Sequence, residues 1–435
     1  MKFSAVGDTL IIRRMPQDYK GFTEVREWME PAEARFFNLE TTLHREGECF
    51  GFALSGGAYL RSEPEILDDC KRYGFNMTSF CNNHAMDFAY DGLLKTKEYV
   101  DKSGLVNTGA GRNLDQAAAP AYLEANSGRV ALLSMTATCN SYYNDVCIAG
   151  QQSRRYPGRP GVNQLRFKET LFVTQEQMDV IKEIADLTEC NGQEEIGRRE
   201  GFRDPLPEGV FKLGKYMNFH VADKTGREVV CHPVDLKRME KAIAEAKSQS
   251  DFVLVSIHSH EVGGMSKEQP AQFVEEFAHK CIDLGADAII GHGPHLLRPV
   301  EIYKNRPIFY SLGDFVMQTG NNPFAPEEEY AEQGLTSDAN MLDVRRIKSK
   351  DFTRGLRVDR RMYESVIPRW EIDENGKMTK LELLAIELGF DLPTSREGLP
   401  APAKDSAILE RLAEMSKPYG TKFEISGNTA TVVLD

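Results

Sequence analysis

The stretch that decides the fold is Phe252-Val253-Leu254-Val255-Ser256-Ile257, which is followed at once by His258-Ser259-His260. Such a short, nearly all-apolar run is typical of a core strand. Comparable runs recur along the chain at Phe3–Val6, Arg35–Phe37, Asn76–Phe80, Val130–Met135 and Ala288–Ile290. Amphipathic helical patterns separate these runs at Glu63–Tyr73, Gly92–Ser103, Val234–Gln249 and Ala271–Leu284. This alternation predicts an α/β layer fold.

The composition is close to that of soluble globular proteins. The 435 residues include 53 Lys+Arg and 66 Asp+Glu, a formal net charge of −13, and 41% of them are hydrophobic. The acidic balance argues against a nucleic-acid partner, because nucleic-acid binders usually present a basic face. No stretch reaches the roughly 18 apolar residues of a membrane helix. Residues Met1–Asp8 also lack the layout of a signal peptide. We therefore expect a cytoplasmic protein without a membrane segment.

Two regions depart from the strand–helix alternation. Residues 140–232 separate two core strands and are long for a connection, so we expect an inserted cap or lobe. Residues 346–435 predict a small α+β extension, with strands at Val366–Ile372 and Lys380–Ala385 around the turn Glu374-Asn375-Gly376. The predicted main domain is therefore 1–345, and the extension completes or flanks it.

Almost every predicted core strand ends in a residue type that binds divalent metals. The strand ends read Gly7-Asp8, Asn38-Leu39-Glu40, Asn82-Asn83-His84, His258-Ser259-His260 and Gly291-His292-Gly293-Pro294-His295. Ligands of open α/β sheets bind at the carboxyl ends of the strands. Taken singly, each residue has a structural interpretation, such as a turn former, a solvated carboxylate or a core histidine. Taken together, they predict a metal site.

The chemistry of the set indicates which metals suit it. Carboxylates, an amide oxygen and imidazoles form a mixed oxygen and nitrogen set, which suits Mn, Fe, Co or Zn better than Ca. A pair of such ions can clamp the attacking and leaving oxygens of a displacement and turn bound water into a hydroxide nucleophile. The sequence contains no G-x-S-x-G elbow and no P-loop. We therefore expect a metal-dependent hydrolase.

Several segments are more specific than the single residues. They are Val6-Gly7-Asp8, Asn38-Leu39-Glu40, Asn82-Asn83-His84-Ala85-Met86-Asp87, Gly291–His295 and Tyr310-Ser311-Leu312-Gly313-Asp314-Phe315. In this order they resemble the CapA family, which is named for capsule (poly-γ-glutamate) synthesis proteins. The resemblance runs from about Phe3 to Val316.

The resemblance implies a relation to the calcineurin-like metallophosphoesterases, whose fold is a four-layer α/β/β/α sandwich with a dinuclear metal centre. It implies that Asp8 is a metal ligand, that Glu40 bridges the ions, and that Asn83 binds through its amide oxygen. The further implied ligands are the imidazoles of His258, His292 and His295. His84 is then the acid beside the leaving group, and Asp87 of the same motif is also assigned to catalysis. Leu10 stands where that superfamily usually has a histidine, so we expect one or two ions.

Three further residues are predicted to contact the substrate. His260 stands where many CapA-family members have the glycine of a His-Trp-Gly motif, so it either adds a ligand or contacts substrate, and Asn38 is expected beside it. A basic patch in this acidic chain consists of Arg154, Arg155, Arg159 and Arg166. It is either a solvated loop or an anion clamp, since guanidinium groups bind phosphate or carboxylate bidentately, and Arg159 is our candidate within it.

Three functions remain compatible with the sequence. The first is a metallophosphoesterase-type hydrolase acting on a small anionic substrate, a phosphoester for preference. The second is a poly-γ-glutamate handling protein that acts on or binds γ-linked glutamate. The third is a non-catalytic scaffold stabilised by metal. The sequence decides neither the substrate nor the oligomeric state.

Overall fold

The computed structural model of the chain describes residues 1–53, 55–139, 144–214, 217–318, 323 and 325–434. Its strands are β1 (Lys2–Leu10), β2 (Ala34–Leu39), β3 (Thr42–Leu43), β4 (Arg61–Ser62), β5 (Met77–Ser79), β6 (Val106–Thr108), β7 (Ala110–Gly111), β8 (Ala121–Ala125), β9 (Gly128–Thr136), β10 (Gly161–Val162), β11 (Phe167–Val173), β12 (Val210–Leu213), β13 (Met217–Val221), β14 (Gly226–Cys231), β15 (Phe252–His258), β16 (Ala288–His292), β17 (Leu297–Tyr303), β18 (Arg306–Leu312), β19 (Asp314–Met317), β20 (Glu364–Ile372), β21 (Met378–Glu387), β22 (Ala401–Pro402), β23 (Phe423–Ser426) and β24 (Thr429–Val432).

The helices of the described residues lie mostly between these strands. They are α1 (Phe22–Met29), α2 (Ile66–Arg72), α3 (Ala89–Ser103), α4 (Leu114–Ala118), α5 (Asn144–Cys147), α6 (Gln175–Thr188), α7 (Gly192–Arg199), α8 (Pro233–Gln249), α9 (Gln272–Asp283), α10 (Glu327–Ala331), α11 (Met341–Ser349) and α12 (Ala407–Ser416). Short 3₁₀ turns cover Leu356–Val358, Arg360–Tyr363 and Lys417–Tyr419.

Two large sheets organise the described part of the chain. The larger has the order β23-β24-β21-β20-β1-β2-β5-β6, with β19 also paired to β1 and β22 to β21. The second has the order β17-β18-β16-β15-β9-β8. Within the larger sheet β1, β2, β5 and β6 run parallel, and within the second β9, β15, β16 and β18 do so. The parallel strands therefore bring their carboxyl ends to one edge of each sheet.

The two sheets share an apolar core, and helices cover their other faces. Phe36 belongs to the core that also contains Leu254 of the second sheet, whereas the next residue, Phe37, packs with residues of α2 and α3. This split follows from the alternation of side chains along a strand. Helices α8 and α9 pack on β15 through a third cluster that includes Ile243 and Phe277. The predicted mixed α/β class, with the predicted core strands and helices, is confirmed.

The inserted region folds around a small sheet of its own. Strands β11 to β14 pair in the order β12-β13-β11-β14. Helix α6 packs on this sheet, with its Met178 in one cluster with Val173 of β11 and Phe219 of β13. All of these elements lie inside the predicted insertion 140–232, of which residues 140–143, 215 and 216 are outside the described residues.

The C-terminal region adds strands to the larger sheet. Strand β20 pairs antiparallel with β1, and β21 with β20, so the predicted extension shares a sheet with the N-terminus. The proposed boundary at residue 345 falls within α11, and the division into domains stays a prediction. In the part of the chain that is described, no helix is both long and apolar enough to cross a bilayer. The cytoplasmic location stays a prediction.

Candidate metal centre

The candidate site lies where the parallel strands of both sheets end. In the larger sheet Asp8 is in register with Asn38 on β2 and with Asp314 on β19. In the second sheet His258 and His292 are in register at the ends of β15 and β16. Because the two sheets pack face to face, these two rows of strand ends meet, and their side chains come within hydrogen-bond distance.

Asp8 joins the two sheets. Its Oδ1 accepts a hydrogen bond from the Asn38 amide at 2.7 Å, and its Oδ2 accepts one from the backbone N–H of Gly293 at 2.7 Å. The Nδ1 atoms of His292 and His258 lie 3.3 and 3.6 Å from its Oδ1. Burial opposes ionisation, but the two imidazoles hold the pKa of Asp8 well below its usual range. Asp8 is therefore a carboxylate aimed at two imidazoles.

Glu40 is the least satisfied side chain of the site. It is fully buried, and among the described residues neither of its carboxylate oxygens has a hydrogen-bond partner. Its Oε1 lies 3.7 Å from His258 Nε2 and 3.9 Å from the Nε2 atoms of His84 and His295. Burial, together with the charges of Asp8 and Asp314, raises the pKa of Glu40 well above its usual value. A bound cation would remove this penalty, because buried charges are normally paired or coordinate a metal.

His258 is the imidazole on which most of the other groups converge. Its Nε2 lies 2.7 Å from Asn83 Oδ1 and 3.1 Å from His260 Nε2, and its Nδ1 lies 3.0 Å from His292 Nδ1. Burial lowers the pKa of His258 to about 4, even though Asp8 favours the charged form. The ring is therefore neutral at pH 7, which is the form that binds metals.

Two hydrogen bonds orient the remaining imidazoles. His292 Nε2 lies 2.8 Å from Ser256 Oγ, which leaves Nδ1 facing Asp8. His295 adopts a left-handed backbone with φ of 60°, and its Nδ1 lies 3.0 Å from Asp314 Oδ1, which leaves Nε2 facing Glu40. A carboxylate on one ring nitrogen is the common way to orient an imidazole whose other nitrogen binds a metal.

The described His, Asp and Glu side chains form three overlapping groups whose ligand atoms lie within 4.8 Å of one another. These groups are Asp8, His258 and His292; Glu40, His258 and His260; and Asp8, Glu40, His295 and Asp314. The donors are carboxylate oxygens and imidazole nitrogens, a set that fits a divalent transition ion. The structure thus brings together the predicted ligands Asp8, Glu40, Asn83, His258, His292 and His295, and places His260 beside them.

Asp314 is a candidate ligand that the sequence reasoning missed. It is fully buried, its Oδ2 has no hydrogen-bond partner among the described residues, and burial raises its pKa to about 6 although His295 lowers it. The available signal was the segment Tyr310–Phe315, which contains this carboxylate. Its position beside Asp8 depends on the pairing of β19 with β1, which the sequence does not display.

His84 and Asp87 form a pair at the edge of the site. His84 Nδ1 lies 2.8 Å from Asp87 Oδ2, and Nε2 faces Glu40. Asp87 also accepts hydrogen bonds from the backbone N–H groups of Gly56 at 2.7 Å and Leu60 at 2.8 Å. Asp87 therefore orients His84 and is fixed by the segment 56–60.

The side chains predicted to contact substrate form hydrogen bonds within the protein. Asn38 is fully buried, donates to Asp8 and accepts from Asn82 at 3.3 Å, so it supports a ligand instead of facing a substrate. Arg159 donates to the carbonyl of Ile148 at 3.1 and 3.2 Å. Arg166 forms two hydrogen bonds of 2.9 Å with the buried Asp235.

Of the two interpretations of the basic patch, an anion clamp made by all four arginines is not supported, because Arg159 binds a backbone carbonyl and Arg166 binds an aspartate. Arg166 is held by Asp235 at the start of α8, because burial of that carboxylate requires a cationic partner. Arg154 and Arg155 are exposed.

Comparison with known proteins fits this architecture. A family described as the bacterial capsule synthesis protein PGA_cap matches residues 2–319. The chain belongs to this family. The predicted CapA resemblance is thereby confirmed, and the PGA_cap region contains every residue of the candidate metal centre, from Asp8 to Asp314.

Relatives of the chain extend the comparison to its full length. The uncharacterized protein y4sH of Sinorhizobium fredii is 33% identical over 442 residues, covering 99% of this chain and 92% of the relative. The capsule biosynthesis protein CapA of Bacillus anthracis is 24% identical over 311 residues, 71% of this chain and 56% of the relative. A probable polyglutamine synthesis accessory protein of Mycobacterium tuberculosis is 25% identical over 279 residues, 64% and 54% respectively. The chain is thus related to capsule and polyglutamate synthesis proteins.

Proposed function

We propose that this PGA_cap protein is a metal-dependent hydrolase of the metallophosphoesterase type that acts on a small anionic substrate, a phosphoester for preference. The observation that carries the proposal is the Glu40 carboxylate, buried without a hydrogen-bond partner in the described structure and surrounded by three imidazole nitrogens at 3.7–3.9 Å. A carboxylate and imidazole nitrogens in this arrangement are ready to bind a divalent ion.

The layer arrangement supports the same proposal. Two sheets packed face to face, with helices on their outer faces and ligands at the strand ends, agree with the four-layer sandwich expected of metallophosphoesterases. Leu10, where that superfamily usually has a histidine, is buried, but His260 and Asp314 lie among the candidate ligands and offer further donors.

One set of residues would bind the metal, and a second pair would transfer a proton. Asp8, Glu40, Asn83, His258, His292 and His295 would hold Mn, Fe, Co or Zn, with His260 and Asp314 beside them. Such ions supply Lewis acidity and a nucleophile at neutral pH. Asp87 fixes the Nδ1 side of His84, so that Nε2 faces the site and can donate a proton to a leaving oxygen.

The test combines metal analysis with activity. We expect the purified protein to bind a divalent transition metal and to hydrolyse p-nitrophenyl phosphate or a cyclic nucleotide. Chelation and Asp8→Ala should each abolish turnover, because Asp8 faces two of the imidazoles. The matched control is Asp223→Ala, which removes an exposed aspartate in the inserted lobe and should leave turnover unchanged. Turnover that survives both chelation and Asp8→Ala would refute the mechanism.

The family supports a second candidate function, the handling of poly-γ-glutamate. The relatives named for capsule and PGA biosynthesis favour it, and the same site could act on or bind γ-linked glutamate. Oligomers of γ-linked glutamate should then bind or be cleaved where phosphoesters are not. Metal binding that stabilises the fold without turnover on either class would instead identify a scaffold.

A further inference from the structure

A cavity of about 270 Å³ is lined on one side by residues 57–60. The same segment contacts Asp87 at the edge of the candidate metal centre through the backbone of Leu60. Its walls are residues Gly57–Leu60 on one side and the region from Met341 in α11 to Arg357 on the other. This volume is close to the lower end of small-molecule pockets, which begin at roughly 300 Å³. The cavity contains none of the candidate metal ligands and is a separate feature of the fold.

Apolar side chains form much of the cavity wall. Tyr59, Leu60, Met341 and Val344 are all less than a tenth exposed, and Phe352 lies at the rim, 36% exposed. Ligand pockets are typically apolar with a few placed polar groups, so this wall suits a ligand with an apolar body.

The charged part of the wall is strongly biased towards cations. Arg345, Lys348, Arg354 and Arg357 line the cavity, whereas Glu329 is the one carboxylate among its described lining residues. Lys348 binds Glu329, and Arg357 binds Glu397. Burial lowers the pKa of Arg345, and the charge of Arg357 lowers it further, so the two guanidinium groups repel each other. An anion between them would offset this repulsion, and a cation would add to it.

The cavity also shares a wall with the His84–Asp87 pair. The backbone N–H groups of Gly56 and Leu60 fix the Asp87 carboxylate, and the carbonyl of Gly56 accepts a hydrogen bond from Asn83 at 2.8 Å. The next residues of this segment, from Gly57 to Leu60, face the cavity. A ligand there would contact the segment that positions His84.

We propose that this cavity binds a small amphiphilic anion, with its carboxylate or phosphate group at Arg345 and Arg357 and its apolar part against Tyr59, Met341 and Val344. The site does not depend on the hydrolase proposal, because its binding is measured without turnover. The chemistry recognised is an acidic head group on an apolar body.

The test uses 8-anilinonaphthalene-1-sulfonate, an amphiphilic anion whose fluorescence rises in apolar sites, with the full chain and with chelator present. We expect saturable binding at one site per chain. Octanoate or octyl phosphate should displace the dye, and the stronger of the two identifies the head group. Octyltrimethylammonium should not displace it, because a cation is repelled by the guanidinium groups.

Two variants and one matched control assign the site. Arg345→Met should weaken dye binding roughly tenfold, because a hydrogen bond to a charged group is lost. Arg346→Met removes the exposed neighbouring arginine of α11, which does not line the cavity, and should leave binding unchanged. Ala58→Trp fills the cavity from the opposite wall and should abolish binding with both arginines intact. Equal binding by all of these variants and the wild type, or displacement by the cation, would overturn the proposal.

Discussion

At the scale of the residue, Glu40 is a carboxylate whose folded environment disfavours its charge. Its pKa is raised by burial and by Asp8 and Asp314, so the folded state holds its proton to higher pH than the unfolded chain does. Stability is therefore lost as the pH rises above the usual carboxyl range towards the raised pKa. A bound metal ion would favour the ionised form of Glu40 over the protonated form, because the ion pairs with the carboxylate.

Glu40→Gln should accordingly stabilise the metal-free protein and weaken metal binding. We expect a gain of about 1–3 kcal/mol in the free energy of unfolding at pH 7, because the folded wild type must hold this buried carboxyl group either unpaired and charged or protonated above its usual pKa, and glutamine has neither cost. The gain in stability should be smaller at pH 5. At that pH a larger fraction of the unfolded wild-type chains also carries the Glu40 proton, so folding costs less in proton uptake. Urea unfolding with chelator at both pH values measures it, and metal titration should show at least a roughly tenfold loss of affinity. A variant that is less stable than the wild type at pH 7 without metal would contradict this account.

Asp87 gives a second prediction at the same scale, which rests on the proposed hydrolase activity. Asp87→Asn keeps the shape of the side chain but weakens its hold on His84 Nδ1. We expect kcat to fall roughly 10- to 100-fold with the metal content unchanged, as for other orienting carboxylates. A parallel loss of metal would instead mean that Asp87 supports the fold of the whole site.

The residue types of the site were predictable, but their partners were not. Glu40 and His258 stand at strand ends, which the apolar runs before them reveal, and Asp8 lies two residues before the end of β1. Asn38 was predicted to contact substrate and instead supports Asp8, since only the paired strands show that its amide faces that carboxylate. Asp314 was missed as a candidate ligand because it begins a strand instead of ending one.

At the scale of the element, β1 and β19 approach so closely that one position requires glycine. A Cβ built on Gly7 would lie 1.8 Å from the carbonyl oxygen of Gly313, which precedes β19. The backbone N–H of the next residue, Asp8, donates to that same oxygen at 3.1 Å. The position of Asp8 therefore depends on the absence of a side chain one residue earlier.

Gly7→Ala should destabilise the fold by about 1–3 kcal/mol or more, because the clash is with backbone and forces the two strands apart. Gly192→Ala is the matched control, since a Cβ there meets no atom within 4 Å and alanine suits a helix start. Thermal unfolding of the two variants compares them directly. Equal melting temperatures would show that β1 and β19 separate without cost.

Elements were predicted well where periodicity is strong and poorly where pairing defines them. The apolar run Phe252–Ile257 corresponds to β15, and the amphipathic pattern Ala271–Leu284 corresponds to α9. Each predicted end lies within one residue of the observed end. Strand β1 continues to Leu10, beyond the predicted Val6, because β19 pairs with its second half. The two-residue strands β3, β4, β7, β10 and β22 exist only through their partners, so no local pattern marks them.

At the scale of the whole molecule, the C-terminal region completes the larger sheet. Phe3 on β1 is in register with Trp370 on β20, and their rings stack with centroids 5.3 Å apart. Both rings belong to the core between the two sheets. The predicted division at residue 345 therefore separates two halves of one core.

A fragment of residues 1–345 should consequently fail to form the metal centre. It lacks β20, which leaves one edge of β1 unpaired along its first residues, while β2 pairs with the other edge, and it exposes Phe3. We expect it to aggregate, or to show no cooperative unfolding and no metal binding in a titration, while the full chain shows both. A soluble fragment that binds metal as tightly as the full chain would establish 1–345 as an independent domain.

The pairing of β1 with β20 also constrains how the protein is made. Strand β1 leaves the ribosome before β20, which begins only at Glu364, so tens of seconds pass between the two at roughly 5–20 residues per second. During that interval the nascent chain presents an open strand edge that can recruit other growing chains. Assembly of the larger sheet therefore depends on protecting this edge until β20 has been synthesised.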